Sequence, residues 1–271
     1  MMSFKQWFRR PVVLALVASS TAVAGACGIS RQQEVEMGQQ YSAEINRQLP
    51  MVNDAAVSRY INNLGRSIAQ RGNRQYNYNF YVVNAAQINA FAVPGGHIYV
   101  NRGLVERTRN MSELAGVLAH EIAHVEHRHG ISQMERMQAA NLGLNIGYVL
   151  LGRAPTGVEE AVIGVGGTAY FASHSRGAEN EADATAVTLL ANSGINPNGL
   201  TSFFAVLISD QQRSPSTVQQ WFSTHPLTQD RIENTQSYIN RLPANQRGGR
   251  SDDSGYASMK NRLRSYRPAA S

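Results

Sequence analysis

The stretch His120-Glu121-Ile122-Ala123-His124 is an H-E-x-x-H pattern, and it constrains this chain more than any other feature. At about 3.6 residues per turn, the two histidines lie only about 40° apart around a helix, so both imidazoles point the same way. Two ligands in this relation suit a zinc ion, and the glutamate beside them can serve as a general base. The pattern can also arise by chance in a core helix, so it gains meaning only with a helix around it and a third ligand.

The surrounding residues predict that helix. Asn110, followed three positions later by Glu113, is typical of a capping box at a helix start. Apolar side chains then recur at helical spacing. They are Leu114, Val117, Leu118, Ile122 and Val125.

Candidate carboxylate ligands come from a second predicted helix, over residues 179–192. Glu179 and Asp183 are four positions apart and therefore share a helix face. One carboxylate can bind zinc while the other accepts the free N–H of a ligand histidine, which would fix the orientation of that ring. Glu181 lies about 200° around the helix from Glu179 and is predicted to face solvent. Glu179 could also be a surface charge, but the apolar residues of this segment favour a packed helix.

The first residues predict export. Residues 1–26 begin with Lys5, Arg9 and Arg10 and continue as an apolar stretch that ends in small residues. This layout is typical of a signal peptide. The apolar stretch is shorter than the roughly 20 residues that a membrane-spanning helix needs.

Cys27 is the single cysteine of the chain, directly after the predicted signal peptide. Ala24-Gly25-Ala26-Cys27 resembles a bacterial lipobox, which predicts that Cys27 is lipidated and becomes the first mature residue. The alternative is an ordinary cleaved signal with an incidental cysteine. The resemblance to enterobacterial lipoproteins, in which an aspartate after the cysteine signals retention in the inner membrane, implies a periplasmic protein anchored to the outer membrane, because Gly28 stands at that position.

The formal net charge of +6 does not predict a nucleic-acid partner. The basic excess lies in residues 1–26 and in a polar tail over 246–271, and the body of the chain between them has no basic groove. The tail contains Tyr256, Met259 and Leu263 at the spacing of a short amphipathic helix. We therefore expect one domain over 27–245.

The other elements predict a mostly helical α+β fold. Helices are expected over 30–49 and 54–70, followed by a small, largely antiparallel sheet with strands at 77–84, 88–93 and 97–101. Later segments predict a helix over 197–208, a polar loop over 209–216 and a helix from Pro226 to about Leu242. The apolar segment 138–172 predicts a buried helical hairpin, with a shallow membrane contact as the alternative.

Several motifs together resemble the zinc metallopeptidase family of the CAAX prenyl endopeptidases and bacterial HtpX. Lacking the several membrane spans of HtpX, the chain is similar to the small periplasmic and lipoprotein members, and it is too short for the tetratricopeptide repeats that some of them carry. The motifs are the H-E-x-x-H stretch, Ser175-Arg176 with Glu179, Ala182 and Asp183, His225-Pro226 with Arg231, and the strand motif that runs from Asn89 through Gly96-His97 to Val100.

This resemblance implies a zincin-like fold of the gluzincin type with one Zn²⁺ per chain. The ligands would be His120, His124 and Glu179, and Asp183 would hold a ligand histidine. Glu121 would take a proton from the attacking water and pass it to the leaving amine.

The strand motif implies a place for the substrate, which would lie extended along a sheet edge. That edge would be offered by strand 88–93 or by strand 97–101. The residues expected to bind substrate are Asn89, Ala90, Phe91, Gly96 and His97.

His225 and Arg231 have several possible roles. The resemblance implies that His225 can occupy the fourth zinc position and keep the enzyme latent; it could instead donate to the oxyanion, or cap the helix that Pro226 begins. Arg231 could hold an active-site carboxylate or lie on the surface.

The predicted function is a zinc endopeptidase that acts on misfolded or unassembled envelope proteins. The alternative is a chaperone or assembly factor for outer-membrane proteins whose zinc site is latent or structural.

Overall fold

A computed structural model describes residues 28–139 and 174–266. The predicted signal peptide, Cys27 and nearly all of the predicted 138–172 hairpin lie outside the described residues. The helices, numbered along the described chain, are α1 (Arg31–Gln48), α2 (Ala55–Ala69), α3 (Arg102–Arg107), α4 (Met111–Glu126), α5 (His129–Ala139), α6 (Arg176–Asn192), α7 (Asn198–Arg213), α8 (Pro215–Thr224), α9 (Gln229–Arg241) and α10 (Tyr256–Arg264). The strands are β1 (Asn79–Val83), β2 (Ala90–Val93) and β3 (His97–Asn101).

The sheet is mixed rather than largely antiparallel, because its central strand β3 pairs in parallel with β1 and antiparallel with β2. β2 and β3 form the expected antiparallel hairpin, and Gly95 and Gly96 turn the chain with φ values of 81° and 95°. Such positive φ values are readily adopted only by glycine. β1 pairs with β3 in parallel. The prediction that strand 97–101 could offer a sheet edge is therefore wrong, since that strand is central; β2 is an edge.

Helix α4 lies at the centre of the molecule. It packs against α6 and α7, with α2 and β2 on other sides. All of its residues from Met111 to Val125 are buried, including the polar ones. A helix buried all round must satisfy its polar side chains within the protein, so its histidines and glutamates depend on groups from neighbouring helices.

The caps of the helices mostly follow the sequence. The Asn110 side chain accepts from the backbone N–H of Glu113, as predicted for the start of α4. The Glu113 carboxylate, however, accepts from the N–H of Arg109 rather than from that of Asn110. At α6, the Ser175 side chain accepts from the N–H of Ala178, so the helix begins three residues before the predicted start.

The predicted polar loop over 209–216 is wrong. α7 continues to Arg213, and Pro215 then begins α8. Proline is favoured at the first position of a helix, where its missing N–H has no intrahelical partner to lose. This extra helix carries Trp221 and delivers His225 at its carboxyl end.

The expected helix near the carboxyl end is present as α10, and its buried residues are Tyr256, Met259 and Leu263. It packs against α2 and α3. No helix within the described part of the chain is both long and apolar enough to cross a membrane.

Candidate metal centre

Four buried side chains from three helices converge on one point. His120 and His124 come from α4, Glu179 from α6, and His225 from the end of α8; each offers a ligand atom within 4.8 Å of all the others. His120 Nε2 lies 3.3 Å from His225 Nδ1, and His225 Nδ1 lies 3.2 Å from Glu179 Oε1. His124 Nε2 lies 3.3 Å from Glu179 Oε1 and 2.9 Å from His120 Nε2.

These separations fit a tetrahedral zinc site. Nitrogen and oxygen ligands bond zinc at about 2.0–2.2 Å, which places neighbouring ligand atoms about 3.3–3.6 Å apart. Two of the four distances lie in this range, the 3.2 Å contact is just below it, and the contact between His120 and His124 is shorter. The set of three imidazoles and one carboxylate also matches zinc's preference for nitrogen and oxygen ligands. The cluster can therefore hold a metal ion.

His225 reaches the cluster because α8 ends there. Its backbone N–H donates to the carbonyl of Trp221, and the two rings lie 4.7 Å apart between centroids. Trp221 in turn packs edge to face on Phe203. The alternative that His225 caps the next helix is not found, since Thr228 is the N-cap of α9.

Glu121 lies beside the cluster without a hydrogen-bond partner of its own. Both of its carboxylate oxygens are buried and unpaired among the described residues. His225 Nε2 lies 3.5 Å from Glu121 Oε1. Burial raises the pKa of Glu121 above its usual range. A buried carboxylate with free lone pairs beside a metal centre suits a group that takes up a proton.

The structure brings both members of the predicted pair on α6, Glu179 and Asp183, to the cluster. Asp183 Oδ1 lies 2.9 Å from His120 Nδ1, the nitrogen that points away from the cluster. Arg231 on α9 donates to Asp183 and also lies beside Glu179. Arg231 is 3% exposed, so of the two roles considered for it, holding an active-site carboxylate agrees with the structure and a surface position does not.

Neighbouring charges shift the pKa values of Glu179 and His120. Burial alone would raise the pKa of Glu179, but His225 and Arg231 outweigh it and hold the pKa well below its usual range. Burial alone would lower the pKa of His120, but the carboxylates of Glu179 and Asp183 raise it to about 9. In the metal-free protein, a proton therefore occupies the site where a cation would bind.

Three polar residues near His124 were missed by the sequence reasoning. His129 Nδ1 lies 2.8 Å from His124 Nδ1, and His129 Nε2 lies 3.1 Å from Glu181 Oε2. The ring of His174 stacks on that of His124 with a centroid distance of 3.9 Å. Glu181 is exposed, as expected, but its carboxylate also contacts His127 and His129, which was not expected. The helical angles gave no signal for His129 or His174, because both lie outside the helices that carry the predicted ligands.

The predicted substrate residues run from just before β2, along it and through the turn, to the start of β3. Asn89 is buried, and its side-chain nitrogen and oxygen have no hydrogen-bond partner among the described residues. Ala90 and Phe91 are buried in the edge strand. Gly96 is in the turn, and His97 begins the central strand, where its Nδ1 lies 3.3 Å from the Tyr81 hydroxyl. A small cavity at the end of β2 is lined by residues that include Ala92, Val93, Pro94, His124 and His174.

An H-E-x-x-H helix completed by a glutamate from a second helix defines a metallopeptidase site of the gluzincin type. The model of peptidase family M48 matches residues 52–239. The chain belongs to this family, whose members are zinc metallopeptidases.

Curated relatives are similar over most of the chain. The beta-barrel assembly-enhancing protease of Yersinia pestis is 35% identical over 229 residues, which are 81% of this chain and 46% of that protein. The protein of the same name from Escherichia coli (strain K12) is 32% identical over 222 residues, 79% of this chain and 45% of the relative. The metalloprotease YcaL of the same strain is 30% identical over 162 residues, 59% and 62% of the two chains. The chain spans about half the length of the assembly-enhancing proteases that it matches.

Proposed function

We propose that this protein is a zinc-dependent endopeptidase of the bacterial cell envelope that hydrolyses misfolded or unassembled envelope proteins. The observation that carries the proposal is the convergence of His120, His124, Glu179 and His225 beside the unpaired carboxylate of Glu121. The zinc ligands would be His120, His124 and Glu179, with His225 as a fourth in the latent state.

The reaction then depends on few groups. Zinc, when bound, supplies Lewis-acid polarisation of the peptide carbonyl and lowers the pKa of water. Glu121 takes the proton of the attacking water and delivers it to the leaving amine. Its raised pKa suits both steps, because a carboxyl that titrates nearer neutrality holds the proton between them. Asp183 keeps the ring of His120 in place by accepting from its Nδ1.

His225 makes the site latent in this proposal. A catalytic zinc site has three protein ligands and one open position, whereas His225 Nδ1 lies where a fourth ligand would be. The ring must leave before water and substrate can enter. A second role remains for the displaced ring, because its N–H could then donate to the oxyanion.

The substrate would bind as an extended strand along β2, by strand addition. β2 is an edge of the sheet, packs against α4, and ends at the pocket that contains His124. Asn89, Ala90 and Phe91 would lie along the peptide, and the buried unpaired amide of Asn89 is free to bond with it. Gly96 would act only by shaping the turn, and His97 lies on the central strand.

Residues 1–26 and Cys27 support export and a lipid anchor in the outer membrane. The names of the assembly-enhancing relatives support a substrate among outer-membrane β-barrel proteins. His225 in the fourth position favours a second candidate function, an assembly factor or chaperone whose zinc site does not cleave.

The test uses purified protein, with zinc content and cleavage of an unfolded outer-membrane protein as its readouts. About one zinc per chain is expected, and Glu121→Gln should keep the zinc while losing about 100-fold or more in cleavage rate. Glu126→Gln is the matched control, because Glu126 lies on the same helix but bonds to the backbone of Asn73. A Glu121→Gln protein that cleaved at the full rate would exclude the mechanism. If neither the zinc-loaded wild type nor zinc-loaded His225→Ala cleaved the substrate, the assembly factor would be favoured.

A further inference from the structure

His129 and Glu181 form a chain of polar contacts that leads from His124 to the protein surface. His124 Nε2 faces the metal cluster, and its other nitrogen, Nδ1, lies 2.8 Å from His129 Nδ1. The far nitrogen of His129, Nε2, lies 3.1 Å from Glu181 Oε2. His124 and His129 are buried, whereas the Glu181 side chain is 55% exposed.

The positions of the protons follow from the ligand role of His124. A neutral imidazole that binds metal through Nε2 carries its proton on Nδ1, so His124 is the donor. His129 Nδ1 must then accept, which places the proton of His129 on Nε2, where it points at Glu181. Each contact is then a hydrogen bond from an N–H to an acceptor, and each of the two rings is fixed in a single tautomer.

We infer that His129 and Glu181 are positioning residues for the metal ligand His124, acting as a histidine-to-carboxylate chain that fixes its tautomer and ring orientation. The inference rests on the proposed metal centre. Each ligand histidine of α4 then has its own carboxylate anchor. Asp183 holds His120 directly at 2.9 Å, and Glu181 holds His124 through His129. Ligand histidines commonly donate their free N–H to such an acceptor.

Glu181 is itself held in place although it is half-exposed. His127 Nδ1 lies 3.2 Å from Glu181 Oε1, and His127 Nε2 lies 2.8 Å from the Thr185 hydroxyl one turn further along α6. The rings of His127 and His129 are stacked 5.5 Å apart, so the two histidines present their nitrogens to the two oxygens of one carboxylate.

The backbone between the two histidines makes this arrangement possible. Arg128 has a φ of 54°, a left-handed conformation that a residue with a side chain seldom adopts. The turn ends α4 and starts α5 at His129, which brings the His129 ring back beside His124. An ion pair between Arg128 Nε and Glu34 Oε2 at 2.7 Å anchors the turn. Strained backbone of this kind is often retained at functional sites.

The test compares zinc affinity, measured by chelator competition without any peptide, across three variants. His129→Gln should weaken zinc binding by about 10–100-fold, and Glu181→Gln by a smaller factor because its amide oxygen can still accept. His127→Gln is the graded comparison: His127 contacts Glu181 but no ligand, so its effect should be the smallest of the three, within about threefold of wild type. The absorption spectrum of the cobalt-substituted protein should change for His129→Gln and not for His127→Gln.

Thermal unfolding separates positioning from a purely structural role. The two positioning variants should unfold at lower temperature than wild type, and this difference should be larger with zinc than without metal. Unchanged zinc affinity in both variants would overturn the inference and leave the proposed peptidase standing. Binding of two zinc ions per chain, one of them lost in both His127→Gln and His129→Gln, would also overturn it, since these residues would then be a second metal site. Loss of affinity in a protein that cleaves nothing would keep the inference and refute the proposed activity.

Discussion

Arg231 binds Asp183 through two nitrogens of its guanidinium, with Nε 2.5 Å from Oδ2 and Nη2 2.9 Å from Oδ1. The same side chain lies beside Glu179. When ionised, Glu121, Glu179 and Asp183 carry three buried negative charges against one guanidinium. The remaining two negative charges match one divalent cation, which explains why a buried arginine and a metal site occur together here.

The first prediction concerns this arginine. Arg231→Met should destabilise the metal-free protein by about 3–5 kcal/mol, because it leaves two buried carboxylates without their permanent cation. Added zinc should restore part of the loss. Denaturant unfolding with and without zinc measures both effects. Arg241→Met, at an exposed position of the same helix, is the control and should change little; equal effects of the two variants would contradict the buried-charge account.

The second prediction concerns pH. Because the pKa of His120 in the metal-free protein is about 9, His120 keeps its proton at neutral pH and must release it to bind zinc. Zinc affinity should rise by up to about tenfold per pH unit as the pH approaches 9, and the His120 contribution should level off above it. The same raised pKa stabilises the metal-free protein below about pH 6.5, and that stability is lost as the pH rises through about 9.

Calorimetry in two buffers of different ionisation enthalpy measures the proton released on zinc binding at pH 7. Asp183→Asn is the informative comparison, because it removes one of the carboxylates that raise the pKa of His120. It should release less of a proton. Binding without proton release in the wild type would show that His120 is already neutral.

The third prediction concerns latency. His225→Ala should retain zinc through the other three ligands and cleave an unfolded protein faster than wild type, because the fourth position is open. Self-cleavage should increase with it, and turnover of a quenched peptide gives the rate. Gln229→Ala, at an exposed position four residues after His225, is the control. Retained zinc with slower cleavage would instead favour the oxyanion-donor role of His225.

The sequence predicted those parts of the site that depend on helical spacing. His120 with His124, and Glu179 with Asp183, are each four positions apart on one helix, so their common direction follows from the helix itself. His225 required a resemblance, because its place depends on where α8 ends. His129 was missed because the left-handed turn at Arg128, and not periodicity, brings it to His124.

The same limit applies to the sheet. The hairpin of β2 and β3 could be predicted from Pro94-Gly95-Gly96, because a tight turn of two glycines joins antiparallel strands. The insertion of β3 beside β1 is a long-range pairing that no local signal specifies. Without that pairing, both β2 and β3 remained candidates for the substrate edge, and only β2 lies at an edge.

The last prediction concerns the close packing that holds α4 in place. A Cβ on Gly199, the second residue of α7, would lie 2.2 Å from the carbonyl oxygen of Ser112 in α4. Gly199→Ala should therefore push the two helices apart and destabilise the fold by about 1–3 kcal/mol. Gly177 is the matched control, because it is also the second residue of a helix and its nearest contact would be 3.8 Å away.

Gly177→Ala should be neutral or stabilising by up to about 1 kcal/mol, since alanine favours the helix. Denaturant unfolding of both variants with chelator present measures the difference without a contribution from zinc. If the packing of α7 on α4 also sets the ligand geometry, Gly199→Ala should weaken zinc binding as well. Equal stability of the two alanine variants would mean that α7 can shift away from α4 without cost, which the contact at Ser112 argues against.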